Sequence, residues 1–558
     1  MKLLSLEIGE QFRSLHPGFQ VNFHKLTDKG VESMLEFQPF CFAGLNGSGK
    51  SNVLEALAAI FYHLEFCVAK FRPESFEKHF KRNTCTPDAF KLQYLICLSN
   101  QKEYNPQVAY LVTIDKKIGD EPHMFVEPSP TSYLIAQEFR EVSLKPSTRS
   151  LEKAAGKEFL PDLVVGYSSG ENEILSLPFI KNRLVHFDEY KEAVKKGFPF
   201  DEPETSLLYI DEEMSQAVLL ACMLYEDPAT TLKPLKDELG IVGIQSFRMN
   251  LNMQGLAMDI EKTEHVPILQ HVNKTINFLK NCATSWFERK PERKGINDHL
   301  FSVLTLDFFV DDKTKQVFKE YFKSSFELFR FFQMLYELNA NIISTSTKEE
   351  VYKSKGFYTD GKLPEAGPED RVFYFLDYMI LKAEGGDKPN ERLLREFSDG
   401  EHQFLHTMGI CLMLKDRRTL LLLDEPETHF NPGWSSKFIN VLKKSIEAGG
   451  ANNFFKDIVL TTHSPFIISD CKRDFVRWFI RGEEPKDIGF QTYGTSIDYI
   501  MKNTTNKRYL NSEKSITDLK NIIKEGSLED LEAAIKEFGK SSEKQFLYQQ
   551  IERLTKDS

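Results

Sequence analysis

The chain has no apolar run approaching the roughly 18 residues that a membrane-crossing helix needs. Its opening, MKLLSLEIGEQF, reaches charge before a signal-peptide core could form. Both absences predict a cytoplasmic protein with no membrane partner. None of the eight cysteines (Cys41, Cys67, Cys85, Cys97, Cys222, Cys282, Cys411, Cys471) stands in a CxxC pair. That argues against a zinc site or a disulfide framework and for buried, reduced thiols. An excess of positive charge is also lacking. Lys and Arg total 71 against 82 Asp and Glu, a net charge of −11, which excludes a protein basic all over but leaves room for a local basic groove. No repeat, low-complexity tract or sustained heptad is present, so no long coiled coil is expected. What remains is ordinary for a globular chain: 41% hydrophobic and 27% charged residues in 558. At about 150 residues per domain, that length predicts three or four domain-sized units.

The first part of the chain reads as short strands, LLSLEI, FQVNF and FQPFCFA, rich in β-formers and bounded by Gly, Pro or charge. The third runs into GLNGSGKS, and SNVLEALAAIFYHLEF after it has helical spacing. Further strand-like runs are AFKLQYLICLS, VAYLVTI and DLVVGY. Residues 186–390 read as a mostly helical insertion, with strand-like TSLLYI and FSVLTLDFFV among the helices. From 391 an α/β pattern returns, to about 510. Residues 511–558 look purely helical, with Ser527 and Asp530 placed as a capping box.

Gly44-Leu-Asn46-Gly47-Ser48-Gly49-Lys50-Ser51 matches GxxxxGK[ST] in full, between an apolar strand and an amphipathic helix. Glycines let such a loop curl so that backbone N–H groups converge on the β- and γ-phosphates of ATP. The helix beginning near Lys50 adds its positive dipole end. Lys50 supplies a point charge and the Ser51 hydroxyl a ligand for Mg²⁺. Asn52 completes the expected ATP-binding set.

Leu420-Leu-Leu-Leu-Asp424-Glu425 is a four-leucine run ending in two carboxylates. A buried parallel strand explains the leucines. Asp424 is then placed to hold Mg²⁺, and Glu425 to orient or deprotonate the attacking water. Phe397-Ser398-Asp399-Gly400-Glu401 precedes this strand, and Thr461-Thr462-His463-Ser464-Pro465 follows it at the end of another apolar run.

In this order the motifs resemble those of the ABC-type ATPases, over residues 1–185 and 391–510. The resemblance implies an α/β head of the split P-loop NTPase fold. It implies a homodimer joined head to tail, with Ser398, Asp399, Gly400 and Glu401 forming a signature that meets ATP held by the other subunit. Glu425 would be the catalytic base and His463 the γ-phosphate sensor. Asn431-Pro432 falls where a dimer-contacting loop is expected. The signature reads SDGEH rather than SGGQ, which is similar to the DNA-repair and chromosome-organising branch. The glutamine expected between the two lobes is not placed. Tyr167-Ser-Ser-Gly170-Glu-Asn-Glu173 lies near that position, either as a contacting loop or as a plain turn.

Overcoming-lysogeny nucleases of this branch carry a nuclease domain with a DxD pair after the last ATPase motif. No DxD follows His463, so no nuclease is expected in the chain. LVVGYSSGENE, FSDGEHQF, DEPETHFNP, TTHSPFIISD and TYGTSIDYI together resemble the PtuA-type ATPases of Septu and retron-associated antiphage systems. That resemblance implies an HNH nuclease partner, and in retron versions a reverse transcriptase with its DNA–RNA product. Oligomers above the dimer stay open. So does DNA binding at Lys78, Lys81 and Arg82 or at Arg289, Lys290, Arg293 and Lys294, which read first as solvated surface and second as a nucleic-acid groove. The tail has an apolar face that needs a cover, either the chain's own head or a partner nuclease. An ATP-gated DNA clamp or repair scaffold is the alternative function.

Overall fold

The computed structural model describes residues 1–26, 34–98, 109–130, 139–147, 153–169, 173–200, 202–252, 269–289, 303–355, 363–368, 370–383, 388–414, 417–448, 456–504, 513–539 and 544–557. Gly170, Lys290, Arg293 and Lys294 lie outside them. The chain divides into two compact units, Met1–Tyr493 and Gly494–Ser558.

Two sheets and one helix make the centre of the first unit. Strands β1 (Lys2–Ile8), β2 (Phe19–Asn22), β4 (Phe90–Ile96), β5 (Tyr110–Lys116), β6 (His123–Pro128) and β7 (Arg140–Val142) form an antiparallel sheet in the order β2-β1-β4-β5-β6-β7. A second sheet has the order β18-β17-β3-β16-β15-β8-β9. Its members are β3 (Phe40–Gly44), β8 (Leu163–Ser168), β9 (Leu207–Tyr209), β15 (Thr419–Asp424), β16 (Lys456–Thr462), β17 (Val476–Phe479) and β18 (Lys486–Asp487). All its pairings are parallel except β17 with β18. Every residue of β3, β8, β15 and β16 is buried, which is why these strands read as unbroken apolar runs rather than alternating ones.

Helix α1 (Lys50–Val68) joins the two sheets: Val53, Leu57 and Phe61 share one core with Leu3 and Leu6 of β1 and with Leu420 and Leu422 of β15. Among the described residues it is the one helix long and apolar enough to cross a membrane, and it is a core helix, 78% buried over that stretch. Helices α2 (Glu173–Lys196) and α3 (Glu212–Tyr225) follow. Strand β9 lies within the stretch that the sequence assigns to the insertion, yet it pairs with β8 and extends the head sheet.

The insertion carries more β structure than its sequence suggests. Strands β10 (Ile241–Asn252), β11 (Ser285–Arg289), β12 (Val303–Phe309), β13 (Phe373–Lys382) and β14 (Asn390–Leu393) form an antiparallel sheet in the order β11-β12-β10-β13-β14. Register shifts where β10 meets β13 break the alternation of faces, so no clean period of two is visible in IVGIQSFRMNLN. Helix α4 (Ser325–Glu337) packs here, followed in the chain by α5 (Asp399–Met413) and α6 (Phe438–Ala448) of the returning α/β region.

The second unit holds α7 (Glu513–Glu525), α8 (Leu528–Glu537) and α9 (Lys544–Asp557). Ser527 and Asp530 form the expected capping box. Leu519, Leu531, Ala534 and Leu547 make a small core, with Ile522, Ile535 and Phe538 packed around it. These helices therefore bury part of their apolar faces against one another, while Leu528 and Phe546 stay exposed.

A candidate nucleotide site at the ends of the parallel strands

Strand β3 ends at Gly44 (φ +152°), beside Phe479 of β17. A Cβ on Gly44 would lie 2.4 Å from the Phe479 carbonyl oxygen, so no other residue fits. Gly47 (φ +73°) and Gly49 (φ +101°) complete the curl into α1. Asn46 is exposed, and Ser48 and Lys50 are buried. The Ser48 hydroxyl has no hydrogen-bond partner among the described residues. Lys50 Nζ donates to the carbonyls of Gly44 (3.0 Å) and Leu45 (3.2 Å) and lies 3.1 Å from His463 Nε2. Burial pushes the Lys50 ammonium below its ordinary pKa, against the pull of Glu425, Asp424 and Glu427.

Parallel pairing brings the other half of the site alongside. Asp424 stands in register with Thr461 of β16 and Ser168 of β8. Ser51 Oγ donates to Asp424 Oδ1 (2.8 Å), as does Thr461 Oγ1 (2.6 Å). Burial raises the Asp424 carboxyl above its usual range, while these hydroxyls oppose the shift. Glu425 has φ +48°, a left-handed conformation rare outside glycine, and its N–H donates to Thr461 Oγ1 (3.0 Å). Its carboxylate pairs with His463 Nε2 at 2.7 Å, and that contact holds it below the ordinary carboxylate range.

Lys50, Ser51, Asp424, Glu425 and His463 thus converge from three separate parts of the chain. Several neighbours take roles that the sequence did not assign to them. Thr461 ties both carboxylate residues together. Ser14 donates to Asn52 Oδ1 (2.6 Å), and its Oγ would be 2.9 Å from a Cβ on Gly49. Arg13 (φ +54°) makes a two-pronged pair with Glu55 in the second turn of α1. The β-hairpin that holds them has no motif of its own, so only folding reveals them. Glu427 is buried beneath the site and hydrogen-bonds the Thr462 hydroxyl; burial pushes its carboxyl up to about 7.

The signature residues stand elsewhere in the same chain. Ser398 is the N-cap of α5 and Glu401 its capping-box partner, so the anion-favouring helix start is exposed with Ser398 and Asp399 at its tip. Gly400 is buried against the loop after Glu425: a Cβ there would meet the His429 carbonyl at 2.9 Å and the Trp434 ring at 3.0 Å. Asn431 caps the short helix Pro432–Ser435 by accepting from Trp434 N. Glu401 also pairs with Lys382 of β13 at 2.5 Å, which ties the insertion sheet to the signature helix. No hydrogen bond joins residues 398–401 to the phosphate loop among the described residues.

The donor set fits the groups that the motifs imply. Two oxygen ligands, Ser51 Oγ and an Asp424 carboxylate oxygen, lie side by side, the hard donors that Mg²⁺ prefers. The unpartnered Ser48 hydroxyl, the Lys50 ammonium and the left-handed glycine curl suit a polyphosphate.

Residues 289–469 match the family described as "AAA domain, putative AbiEii toxin, Type IV TA system". No curated protein matches the chain. Among solved structures, it is similar to an SMC head domain from Thermotoga maritima, with 10% identity and a TM-score of 0.30, over 88% of this chain and 100% of that one. It is also similar to an Smc head domain with an extended coiled coil, bound to the C-terminal domain of ScpA, from Pyrococcus furiosus, with 12% identity and a TM-score of 0.30, over 91% and 100%. The motif set and its geometry define an ATPase of the AAA/ABC-type P-loop class.

Proposed function

We propose that the chain binds and hydrolyses ATP with Mg²⁺ as the regulatory subunit of a cytoplasmic bacterial antiphage complex, and that it controls an associated HNH nuclease. The observation that carries the ATPase part is the convergence of Lys50, Ser51, Asp424, Glu425 and His463 at the ends of β3, β15 and β16. Lys50 and the loop N–H groups bind the β- and γ-phosphates. Ser51 and Asp424 hold the metal, which neutralises phosphate charge when bound. Glu425, kept ionised by His463, orients a water and accepts its proton. His463 then senses the γ-phosphate.

In a head-to-tail homodimer, Ser398 and Gly400 of one subunit complete the site of the other. The exposed cap at the start of α5 supports this role, since an anion is favoured there. The ion pair between Glu401 and Lys382 is a direct route from that helix to the insertion. The defence setting rests on the motifs SDGEH, DEPETH and TTHSP with the later TYGTSIDYI, and the description of the matching family as a putative toxin supports it.

The test is a tagged pull-down from the native host, with proteins and nucleic acid identified. A stoichiometric HNH nuclease whose activity changes with Glu425→Gln supports the reading, and a bound DNA–RNA hybrid specifies the retron form. A nuclease that ignores both nucleotide and Glu425→Gln overturns it.

A further inference from the structure

Behind the signature helix lies a cavity of about 720 Å³, lined by none of the phosphate-loop residues. One wall is α5, which contributes His402, Gln403 and His406; facing it are the end of β8, α2, the start of α3, the end of α4 and residues 363–366. Its deep end is aromatic and polar. Tyr167, Tyr336 and Gln403 are each at most 5% exposed. Three lining groups there have no hydrogen-bond partner among the described residues: Ser168 Oγ, in a residue 8% exposed, Gln403 Nε2 and His406 Nε2. Such orphans ask for a ligand or ordered water. Burial pushes the His406 imidazole down to about 3, so the ring is neutral and its free nitrogen serves one neutral hydrogen bond.

Charge decides what fits. The lining cations are already matched, Arg371 with Glu213 at 2.5 Å and Arg183 with Asp211 at 3.6 Å. Glu365, at the exposed rim, adds negative charge. An anion is therefore repelled at the mouth and gains no free cation inside. A planar, uncharged ring with hydrogen-bonding edges suits tyrosine and imidazole walls, a hydroxyl and an imidazole nitrogen. The cavity is within the size range of small-molecule sites.

We propose that this cavity binds an uncharged nucleobase-bearing ligand, a nucleoside or free base, seated against Ser168 and His406. Gln403 makes the seat consequential: its Oε1 accepts from His429 N (3.1 Å), so the wall belongs at once to the signature helix and to the loop after Glu425. A ligand here touches both elements that the ATPase uses.

The test is calorimetric titration of adenosine, guanosine, cytidine and uridine, each beside its 5′-monophosphate, into the full chain carrying Lys50→Ala. At least one nucleoside is expected to bind, with its monophosphate at least tenfold weaker. Ser168→Ala and His406→Phe, each added to that background, are expected to weaken binding at least fivefold. The proposal is overturned if no nucleoside binds, if the monophosphate binds as tightly, or if neither pocket variant matters. The readout does not depend on ATP turnover. Retention of ATP binding by Lys50→Ala would count instead against the phosphate-loop reading.

Discussion

His463 Nε2 stands 2.7 Å from a Glu425 carboxylate oxygen and 3.1 Å from Lys50 Nζ. One ring nitrogen carries either a hydrogen or a lone pair. It can donate to Glu425 or accept from Lys50, but not both. The histidine is therefore shared between the residue that should handle water and the one that should hold phosphate. Glu425→Gln is expected to lower ATP hydrolysis by about 10²–10⁴-fold, the range for loss of a general base, while ATP still binds. His463→Ala should also spare binding but slow hydrolysis. Steady-state phosphate release and equilibrium binding of a non-hydrolysable analogue separate the two effects. Hydrolysis by Glu425→Gln at the wild-type rate would remove it as the base.

Thr461 is expected to hold the site together. Its hydroxyl is fully buried, donates to Asp424 and accepts from the N–H of Glu425, whose left-handed backbone needs such an anchor. Thr461→Val keeps the shape but leaves a buried N–H and a buried carboxylate each one partner short. A loss of about 1–3 kcal/mol in unfolding free energy should follow, measured by denaturant titration, with slower Mg²⁺-dependent hydrolysis. An unchanged midpoint would show that the hydroxyl carries no load.

The contrast between Lys50 and Thr461 explains what was legible in the sequence. Lys50, Ser51, Asp424 and His463 lie in motifs whose residue types follow from phosphate and metal chemistry, and the buried parallel strands read as unbroken apolar runs. The structure brings these residues within hydrogen-bonding distance. Thr461 and Ser14 act through cross-strand register and a hairpin's approach to α1, which no local pattern encodes. The insertion sheet was hidden for a related reason: bulges between β10 and β13 erase the period of two. Strand β9 is three residues long, too short to announce which sheet it joins.

The tail has its own core, so damage there should stay local. Leu531 is fully buried among Leu519, Ala534 and Leu547. Leu531→Ala should cost about 2–5 kcal/mol within that unit. Hydrogen exchange on the full chain is expected to show more than tenfold faster exchange in α7, α8 and α9, with protection in β15 and β16 unchanged. Equal loss of protection in both units would mean that they unfold together.

Glu427 should make the protein lose stability between mild acid and neutral pH. Burial raises its carboxyl from 4.5 to about 7 in the folded chain, with the Thr462 hydroxyl opposing the shift. Between those values the folded state keeps a proton that the unfolded state has released. Unfolding free energy then falls as pH rises, by about 1.4 kcal/mol per unit at most. The loss is complete above the folded value and amounts to about 3 kcal/mol. Glu427→Gln keeps the neutral shape at every pH. It should therefore flatten the stability curve between about pH 5 and 7 and leave the variant more stable than the parent at pH 8. Denaturant titrations of both proteins without nucleotide, across that range, measure the difference. Parallel curves would show that the carboxyl ionises normally in the folded state.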